Sequence, residues 1–347
     1  MKKILIIRSG AIGDVLMTTP LIRELKKNMP NIQLDYLVGN WSKSVLEDNR
    51  YIDDLYTFSE EKLFMKKDYI YILKTILKMR KNRYDTIVVL DKHKLASLFA
   101  MAIGGKRYGF DRYGDGKYNN KNIKYVGGKH EIYYYLDILN LFGLEYNKED
   151  VKMDIFLSDK DIYFAKTIFK SMKLEDKKVI GIVPGGANNP AVGDDSLRRW
   201  SIDKYTGLIK KLLNKGIKII LFGGKKDVEI NKRIIDNIKN VDIIDLAGKT
   251  SIKESAAIMK RCNYIICNDS GPMHIASAVN NNIISIFGPT NPIEKAPLNK
   301  GSSYIWKENL KCTPCYDLWG RIPKCNNNYK CMQEIESEEV LEMIKER

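Results

Sequence analysis

Short apolar runs alternate with longer stretches of helical periodicity along most of this chain. Ile4, Leu5, Ile6 and Ile7 stand together inside Lys3–Arg8, which predicts a strand buried on both faces. Residues 9–14 form a glycine-containing turn. From 15 to 28, Val15, Leu16, Leu21, Ile22 and Leu25 fall at helical spacing. Pro20 must kink that helix or split it in two. Pro30 closes the unit and 33–38 is a second strand, so the chain opens β-α-β. Residues 69–79 predict an amphipathic helix with Tyr69, Ile70, Leu73, Ile76 and Leu77 on one face. Such a face usually covers a sheet; basic flanks leave a membrane surface as the alternative. Residues 86–90 predict a buried strand ending at Asp91, and 93–102 a helix. Residues 104–109 are a turn and short strand. Residues 112–128 are polar and rich in Gly, Asn and Tyr, and read as a mobile loop. Residues 132–142 and 159–172 are helical. The charged connector 174–178 is the expected domain boundary.

The second half restarts the pattern. Strands are expected at 179–183, 218–222, 243–245, 264–267 and 283–287, with helices at 202–213, 228–238, 252–261 and 273–279. A long polar loop runs from Pro184 to Trp200. Strands alternating with helices imply parallel sheets with crossover helices. Two such halves imply an α/β protein of two domains with a cleft between them, which the length of 347 residues also suits.

The densest chemistry lies in Asn268-Asp-Ser-Gly-Pro-Met-His-Ile-Ala-Ser-Ala278. A buried strand leads in, a polar glycine turn follows, and a small-residue helix leads out. That layout leaves backbone N–H groups and the positive end of a helix dipole facing an anion. Gly271 allows close approach of a ligand, and Pro272 suits the first helical turn. An ordinary βα turn has the same outline. His274, beside this turn, could hold an anion or be a core histidine bonded to backbone. Asp14 stands at the other glycine turn, at the mouth of a helix. It could complement the helix dipole or act as a general base above the carboxyl ends of the strands.

Composition adds sign and compartment. Net charge is +15, which favours an anionic partner such as a phosphorylated sugar, a nucleic acid or a membrane surface. The excess is concentrated: residues 62–129 hold 17 Lys and Arg against 5 Asp and Glu. A solvated surface is the plainer explanation of such a run. No apolar run reaches transmembrane length and the first residues enter a strand directly, so a soluble, cytoplasmic protein is expected. Of the 6 cysteines, Cys262 and Cys267 lie on or beside apolar elements and are expected in the core. Cys312, Cys315, Cys325 and Cys331 have a spacing that could hold zinc or iron in a structural thiolate site.

The ordered motifs Arg8-Ser-Gly-Ala-Ile-Gly-Asp14, Tyr84-Asp85, Gly105-Lys-Arg-Tyr-Gly-Phe110, Pro184-Gly-Gly-Ala187, Arg199-Trp200, Leu246-Ala-Gly-Lys-Thr250, Asp269-Ser-Gly-Pro-Met-His-Ile-Ala276 and Phe287-Gly-Pro-Thr290 together resemble the heptosyltransferases, inverting glycosyltransferases with two Rossmann-like domains (the GT-B fold). The resemblance runs from Ile4 to about residue 345. It implies an acceptor-binding domain over 1–173, a nucleotide-sugar-binding domain over 178–333 and a C-terminal helix over 334–347. It further implies transfer of heptose from ADP-heptose to the inner core of lipopolysaccharide, with Asp14 as general base. Donor contacts are implied for Arg198, Arg199, Asp227, Thr250, Asp269, Ser270, Gly271, Met273 and His274. Arg198 stands where the family usually has Lys, which leaves open which of Arg198 and Arg199 meets the phosphates. Arg8 resembles a cation near the acceptor, and Lys117, Lys121 and Lys124 are candidates for acceptor or membrane contact. No catalytic metal or cofactor is implied; a structural zinc or iron at the four C-terminal cysteines remains open, because related protein heptosyltransferases carry a cysteine-bound iron there. The expected partners are the nucleotide sugar, a lipopolysaccharide precursor and the inner face of the cytoplasmic membrane, with no nucleic acid and a monomeric protein. Rival readings are a protein heptosyltransferase acting on autotransporters and a non-catalytic nucleotide or polyanion-binding protein. An NAD-dependent enzyme would want Gly-x-Gly-x-x-Gly after a strand, and none is present.

Overall fold

The computed structural model describes residues 2–189, 193–194, 196–239, 242–317 and 325–344. The chain divides into two compact units, Met1–Phe156 and Leu157–Arg347. In the first, the elements run β1 (Lys3–Arg8), α1 (Ile12–Leu16), α2 (Thr19–Asn28), β2 (Gln33–Gly39), β3 (Leu55–Phe58), α3 (Tyr69–Arg80), β4 (Thr86–Val89), α4 (Lys94–Ile103), β5 (Lys106–Asp111), β6 (Lys121–Lys124) and α5 (Glu131–Asp137). Pro20 falls in the first turn of α2, where its missing N–H costs nothing, so the chain splits into two helices rather than kinking one. The six strands are parallel, in the order β3-β2-β1-β4-β5-β6. Leu5 and Ile7 of β1 pack with Leu37, Ile87 and Val89 in one cluster, as a doubly covered parallel sheet requires.

The second unit runs α6 (Asp159–Ser171), β7 (Val179–Val183), β8 (Asn188–Asn189), β9 (Gly193–Asp194), α7 (Ile202–Asn214), β10 (Lys218–Leu221), α8 (Val228–Ile238), β11 (Ile243–Asp245), α9 (Ile252–Met259), β12 (Tyr264–Asn268), α10 (Gly271–Val279), β13 (Ile283–Ile286), α11 (Pro292–Lys295), β14 (Ser303–Ile305), α12 (Lys330–Gln333) and α13 (Ser337–Glu342). Its parallel sheet has the order β11-β10-β7-β12-β13-β14, and β8 pairs with β9 in a separate antiparallel ribbon. Both sheets therefore start in the middle, build outward through the next two strands, then return and build the other way. The reversal falls between β1 and β4 in one unit and between β7 and β12 in the other. A crevice opens at the carboxyl ends of the strands at such a reversal.

Four differences from the sequence reading have physical causes. The unit boundary precedes α6 instead of lying at 174–178. Ala165 and Phe169 of α6 are buried and the Arg261 guanidinium sits 4.6 Å from the Phe169 ring centroid, so α6 packs on α9 of the second unit. Part of the expected mobile loop 112–128 is β6, an edge strand that pairs with β5. Its sequence Lys-Asn-Ile-Lys has no apolar alternation because three of its four residues are exposed. Helix α3 is seated on Thr75 and Met79, so of the apolar stripe expected to cover the sheet only Ile76 packs inward and the other four residues face solvent. Tyr69 is 77% exposed, Ile70 69%, Leu73 57% and Leu77 49%. The C-terminal helix is shorter than 334–347: α13 packs against α7, and 345–347 lie outside the described residues.

Candidate active site

In the first unit the sequence places a turn, an acid and two cations at the reversal between β1 and β4. Arg8 is the last residue of β1. Gly10 follows with φ +121°, a conformation that L side chains rarely adopt, and Ser42 Oγ donates to its carbonyl at 2.8 Å. The chain then enters α1, which carries Asp14 in its first turn, a position the helix dipole favours for a carboxylate. Asp91, just past β4, collects three donors: Arg8 Nη1 at 2.5 Å, Ser9 Oγ at 2.8 Å and the Ser9 N–H at 2.8 Å. The other terminal nitrogen of Arg8, Nη2, lies 3.4 Å from Asp14 Oδ2. Arg8 is 11% exposed and Asp14 32%, so the cation is built in and the acid reaches the surface. Burial alone would lower the Arg8 pKa, but Tyr135, Asp91 and Asp14 more than offset it and hold it well above its usual value.

Beside this chain of charges, Lys92 Nζ lies 2.6 Å from Glu131 Oε2 and 4.0 Å from the centroid of the Tyr125 ring. Tyr125 donates to Glu131 Oε1 at 2.5 Å. Burial lowers the Lys92 pKa; Glu131 works against this and Arg8 adds to it. Sequence reasoning gave no role to Asp91, Lys92 or Glu131. The usable signal was Asp91-Lys92 at the end of a strand that neighbours β1. Lys121 and Lys124 lie on β6, at the sheet edge and three strand positions from β1, and Lys117 lies in the loop that leads into β6. Lys121 Nζ is 5.3 Å from the Tyr108 ring centroid. The three lysines are thus not gathered around Asp14.

The second unit repeats the arrangement between β7 and β12. Asn268 ends β12, is wholly buried, and ties three segments together. Its Oδ1 accepts from the Trp200 N–H and the Tyr205 hydroxyl, each at 3.0 Å. Its Nδ2 donates to the carbonyls of Pro184 at 2.9 Å and Gly185 at 3.2 Å. Arg199 Nε donates to the Gly186 carbonyl at 2.9 Å, and Arg198 Nη1 lies 3.4 Å from Asp269 Oδ2. Gly186 has φ +82°, and a Cβ built there would come within 2.8 Å of Ser270 Oγ, so the two loops touch because residue 186 has no side chain. Among the described residues neither the Ser270 nor the Gly271 N–H has a partner, and both stand at the start of α10. Burial would raise the Asp269 pKa, but Arg198, Lys295, Thr290 and His274 together draw it below the usual carboxylate value. A helix start with these two N–H groups beside Arg198 and Arg199 makes a corner suited to an anion.

Asp227, Met273 and Thr250, three of the donor-side candidates, each have a partner within the chain. Asp227 is buried and accepts from the Gly186 N–H at 3.0 Å and the Gly224 N–H at 2.8 Å, which makes it a staple between two glycine turns. Met273 is fully buried and its N–H donates to the Ser270 carbonyl at 3.0 Å, so it supplies packing in place of a ligand contact. Thr250 Oγ1 lies 2.6 Å from Ser255 Oγ, past the end of β11. His274 is buried in α10.

Cys262 and Cys267 are core residues, and burial pushes the Cys262 thiol up to about 12. Cys315 Sγ is turned to the Cys312 carbonyl at 2.8 Å, Asn327 Nδ2 donates to Cys312 Sγ and the Tyr329 N–H to Cys325 Sγ. Among the described residues no group of three or more His, Cys, Asp or Glu is placed to hold a metal ion. The possible structural site at Cys312, Cys315, Cys325 and Cys331 is not such a group, although the thiols of Cys315, Cys312 and Cys325 lie near enough to add to burial in raising the Cys331 pKa.

Two Rossmann-like units, each with polar chemistry at its strand reversal, define a glycosyltransferase of the GT-B fold. The chain belongs to glycosyltransferase family 9 (heptosyltransferase), whose profile matches residues 72–324. It is 25% identical over 336 residues to lipopolysaccharide heptosyltransferase 3 of Escherichia coli K12, with 95% of this chain and 93% of that protein covered. It is 27% identical to lipopolysaccharide heptosyltransferase 1 of Campylobacter coli, with 99% and 98% covered. A family 9 glycosyltransferase of Veillonella parvula superposes with a TM-score of 0.85 at 23% identity, covering 99% of this chain and 96% of that one. The Escherichia coli heptosyltransferase solved with ADP superposes at 0.73, with 16% identity and 99% and 98% covered. Among the described residues no helix is long and apolar enough to cross a membrane. The non-catalytic and protein-modifying alternatives find no support in these relatives.

Proposed function

We propose that this enzyme transfers heptose from ADP-heptose to a sugar of the lipopolysaccharide inner core, with inversion at the anomeric carbon and without a catalytic metal. The observation that carries the reading is the pair of reversal-point sites: a partly exposed carboxylate backed by a fixed cation in one unit, an anion-binding helix start with two arginines in the other. Asp14 accepts the proton of the acceptor hydroxyl as that oxygen attacks the anomeric carbon. Charge then builds on the departing diphosphate. The Ser270 and Gly271 N–H groups and the guanidinium groups of Arg198 and Arg199 meet it with dipoles already in place. These groups supply the charge stabilisation a metal would otherwise provide. Asp269 and His274 shape the corner, and Thr250 and Asp227 border the nucleoside side.

The acceptor end is assigned to the first unit, with Arg8 near the reacting hydroxyl and Lys117, Lys121 and Lys124 available to outlying phosphates. The enzyme is assigned to the cytoplasmic face of the inner membrane as a peripheral monomer. The deciding experiment incubates the protein with ADP-heptose and truncated lipopolysaccharide acceptors and reads product mass and ADP release. Asp14→Asn is expected to lose roughly 10²–10⁴-fold in kcat while calorimetry shows donor affinity retained. Full turnover in that variant would overturn the role of Asp14. Absence of heptosylated product from every truncated acceptor would overturn the substrate reading.

A further inference from the structure

Helix α3 is apolar on the wrong side for a helix that only covers a sheet. Thr75 and Met79 point inward, while half-buried Tyr71 and Ile76 pack against the core cluster of the first unit. On the opposite side, Tyr69, Ile70, Leu73 and Leu77 fall within an arc of ~100° at 3.6 residues per turn, and all four are about half exposed or more. The preceding turn adds Met65 at 65% exposure. Helix α4, which packs beside α3, exposes Leu95, Leu98 and Met101 as well. An exposed apolar patch of several large side chains marks an interaction surface.

The charge around this patch selects its partner. Residues 62–83 contain eight Lys and Arg against one Asp. Lys66, Lys67, Lys74, Lys78 and Lys81 are all exposed. Lys66 is paired, with Glu61 at 2.7 Å, and Lys78 lies over the Tyr56 ring. Among the described residues, no ion pair involves Lys67, Lys74 or Lys81. An isologous contact with a second copy would set this cationic rim against itself, since the same patch faces the same patch across a two-fold axis. An anionic lipid surface meets both features: acyl chains take Ile70, Leu73 and Leu77, headgroups take the lysines, and Tyr69 sits at the boundary.

We propose that the α3 face, with α4 beside it, is a membrane-docking surface that inserts shallowly into an anionic bilayer. The inference deepens the lipid-linked acceptor reading given above and names the surface that brings the enzyme to it. It differs from docking through the 112–128 loop, part of which is the edge strand β6.

The test is co-sedimentation of the full chain with acceptor-free vesicles of phosphatidylglycerol and phosphatidylcholine, and with phosphatidylcholine alone. The expected result is binding to the anionic vesicles that weakens with salt. Ile70→Asp with Leu73→Asp should lower the partition coefficient by roughly tenfold or more, since each loses most of its transfer to an apolar phase. Lys74→Glu with Lys81→Glu should lower it by at least roughly fivefold per position. Lys210→Glu, on α7 of the second unit, should leave it unchanged. All three are surface changes, and an unchanged melting temperature verifies folding. Wild-type binding by the Ile70/Leu73 variant would overturn the proposal. So would a wild-type dimer on gel filtration that this variant dissociates, because the face would then be a subunit interface. Turnover on a deacylated, water-soluble acceptor is measured in parallel. If it persists in the Ile70/Leu73 variant while vesicle binding is lost, docking and transfer are separate; if the wild type shows none, the transfer reading fails independently of vesicle binding.

Discussion

Arg8 and Asp91 are 83 residues apart in sequence, yet the guanidinium of one is clamped by the carboxylate of the other at 2.5 Å. The clamp fixes where the second guanidinium nitrogen can stand, 3.4 Å from Asp14. Asp91 thus positions the cation that backs Asp14, the proposed base. Replacing Asp91 by Asn keeps the shape and removes the charge, leaving Arg8 with Asp14 as its main anion. A stronger uncompensated positive field stabilises the ionised base, so the acid limb of kcat/KM against pH should move to lower pH, with a fall in kcat. Arg8→Met removes the cation and should move the same limb to higher pH. Opposite displacements in the two variants, read from full pH profiles, check the relation. Displacements of the same sign would mean that Asp91 serves only to hold the loop.

Gly10 tests the same arrangement through the backbone. Its φ of +121° strains any side chain, and an added Cβ would lie 3.3 Å from Asp14 Oδ2 and 3.6 Å from Arg8 Cζ. Gly10→Ala should cost about 1–3 kcal/mol of stability. It should also displace the carboxylate, so kcat should fall at least tenfold while donor affinity stays near wild type. Thermal unfolding together with steady-state kinetics separates the two effects.

Asn268 offers the corresponding test in the second unit. Asn268→Ala strands the Trp200 N–H and two carbonyls in a buried place, and leaves the Tyr205 hydroxyl only its long 3.5 Å bond to the Val183 carbonyl. Each unsatisfied group costs about 1–3 kcal/mol, so urea unfolding should show a loss of at least about 3 kcal/mol. The loops that carry Gly186 and Arg199 lose their common anchor, and donor affinity measured by calorimetry should fall as well.

These three positions show what was legible in the sequence. The apolar run at β1, the glycine turn, Asp14 and the helix start after Asn268 were visible because each is a local pattern. Pro20 correctly announced a break. Asp91 and Asn268 were visible as residues, but their work lies in bonds to positions 63 to 84 residues away, which local spacing does not encode. The edge strand β6 was hidden by its own chemistry, since a polar strand exposed at a sheet edge has no alternation to read. The seating of α3 was misread for a related reason. The helix is apolar on two sides, and periodicity alone cannot say which side the sheet takes. The unit boundary followed the same logic: the connector 174–178 looks like a linker, but Phe169 and Arg261 bind α6 to what comes after it.

Asp269 carries a pH prediction. Burial opposes its ionisation, but Arg198 first, then Lys295, Thr290 and His274 favour it more, and its pKa lies below the ordinary 3.8. A carboxylate whose pKa is lower folded than unfolded contributes stability that is fully present above the unfolded value. That stability is lost as pH falls through the folded value. The second unit should therefore hold its full Asp269 contribution at neutral pH and down to about pH 5, then lose it progressively below the unfolded pKa. Asp269→Asn should be less stable than wild type at pH 7, and the gap should narrow on acidification toward pH 3. Arg198→Met should be destabilising by about 3 kcal/mol at pH 7, because it leaves a buried carboxylate without its leading partner. In Arg198→Met the acid-induced loss due to Asp269 should be smaller than in wild type, since burial then moves the folded pKa back toward or above the unfolded one. Melting temperatures of the three proteins across this range check the sign directly. A gap between wild type and Asp269→Asn that widens on acidification would mean that Asp269 is not ionised in the folded protein.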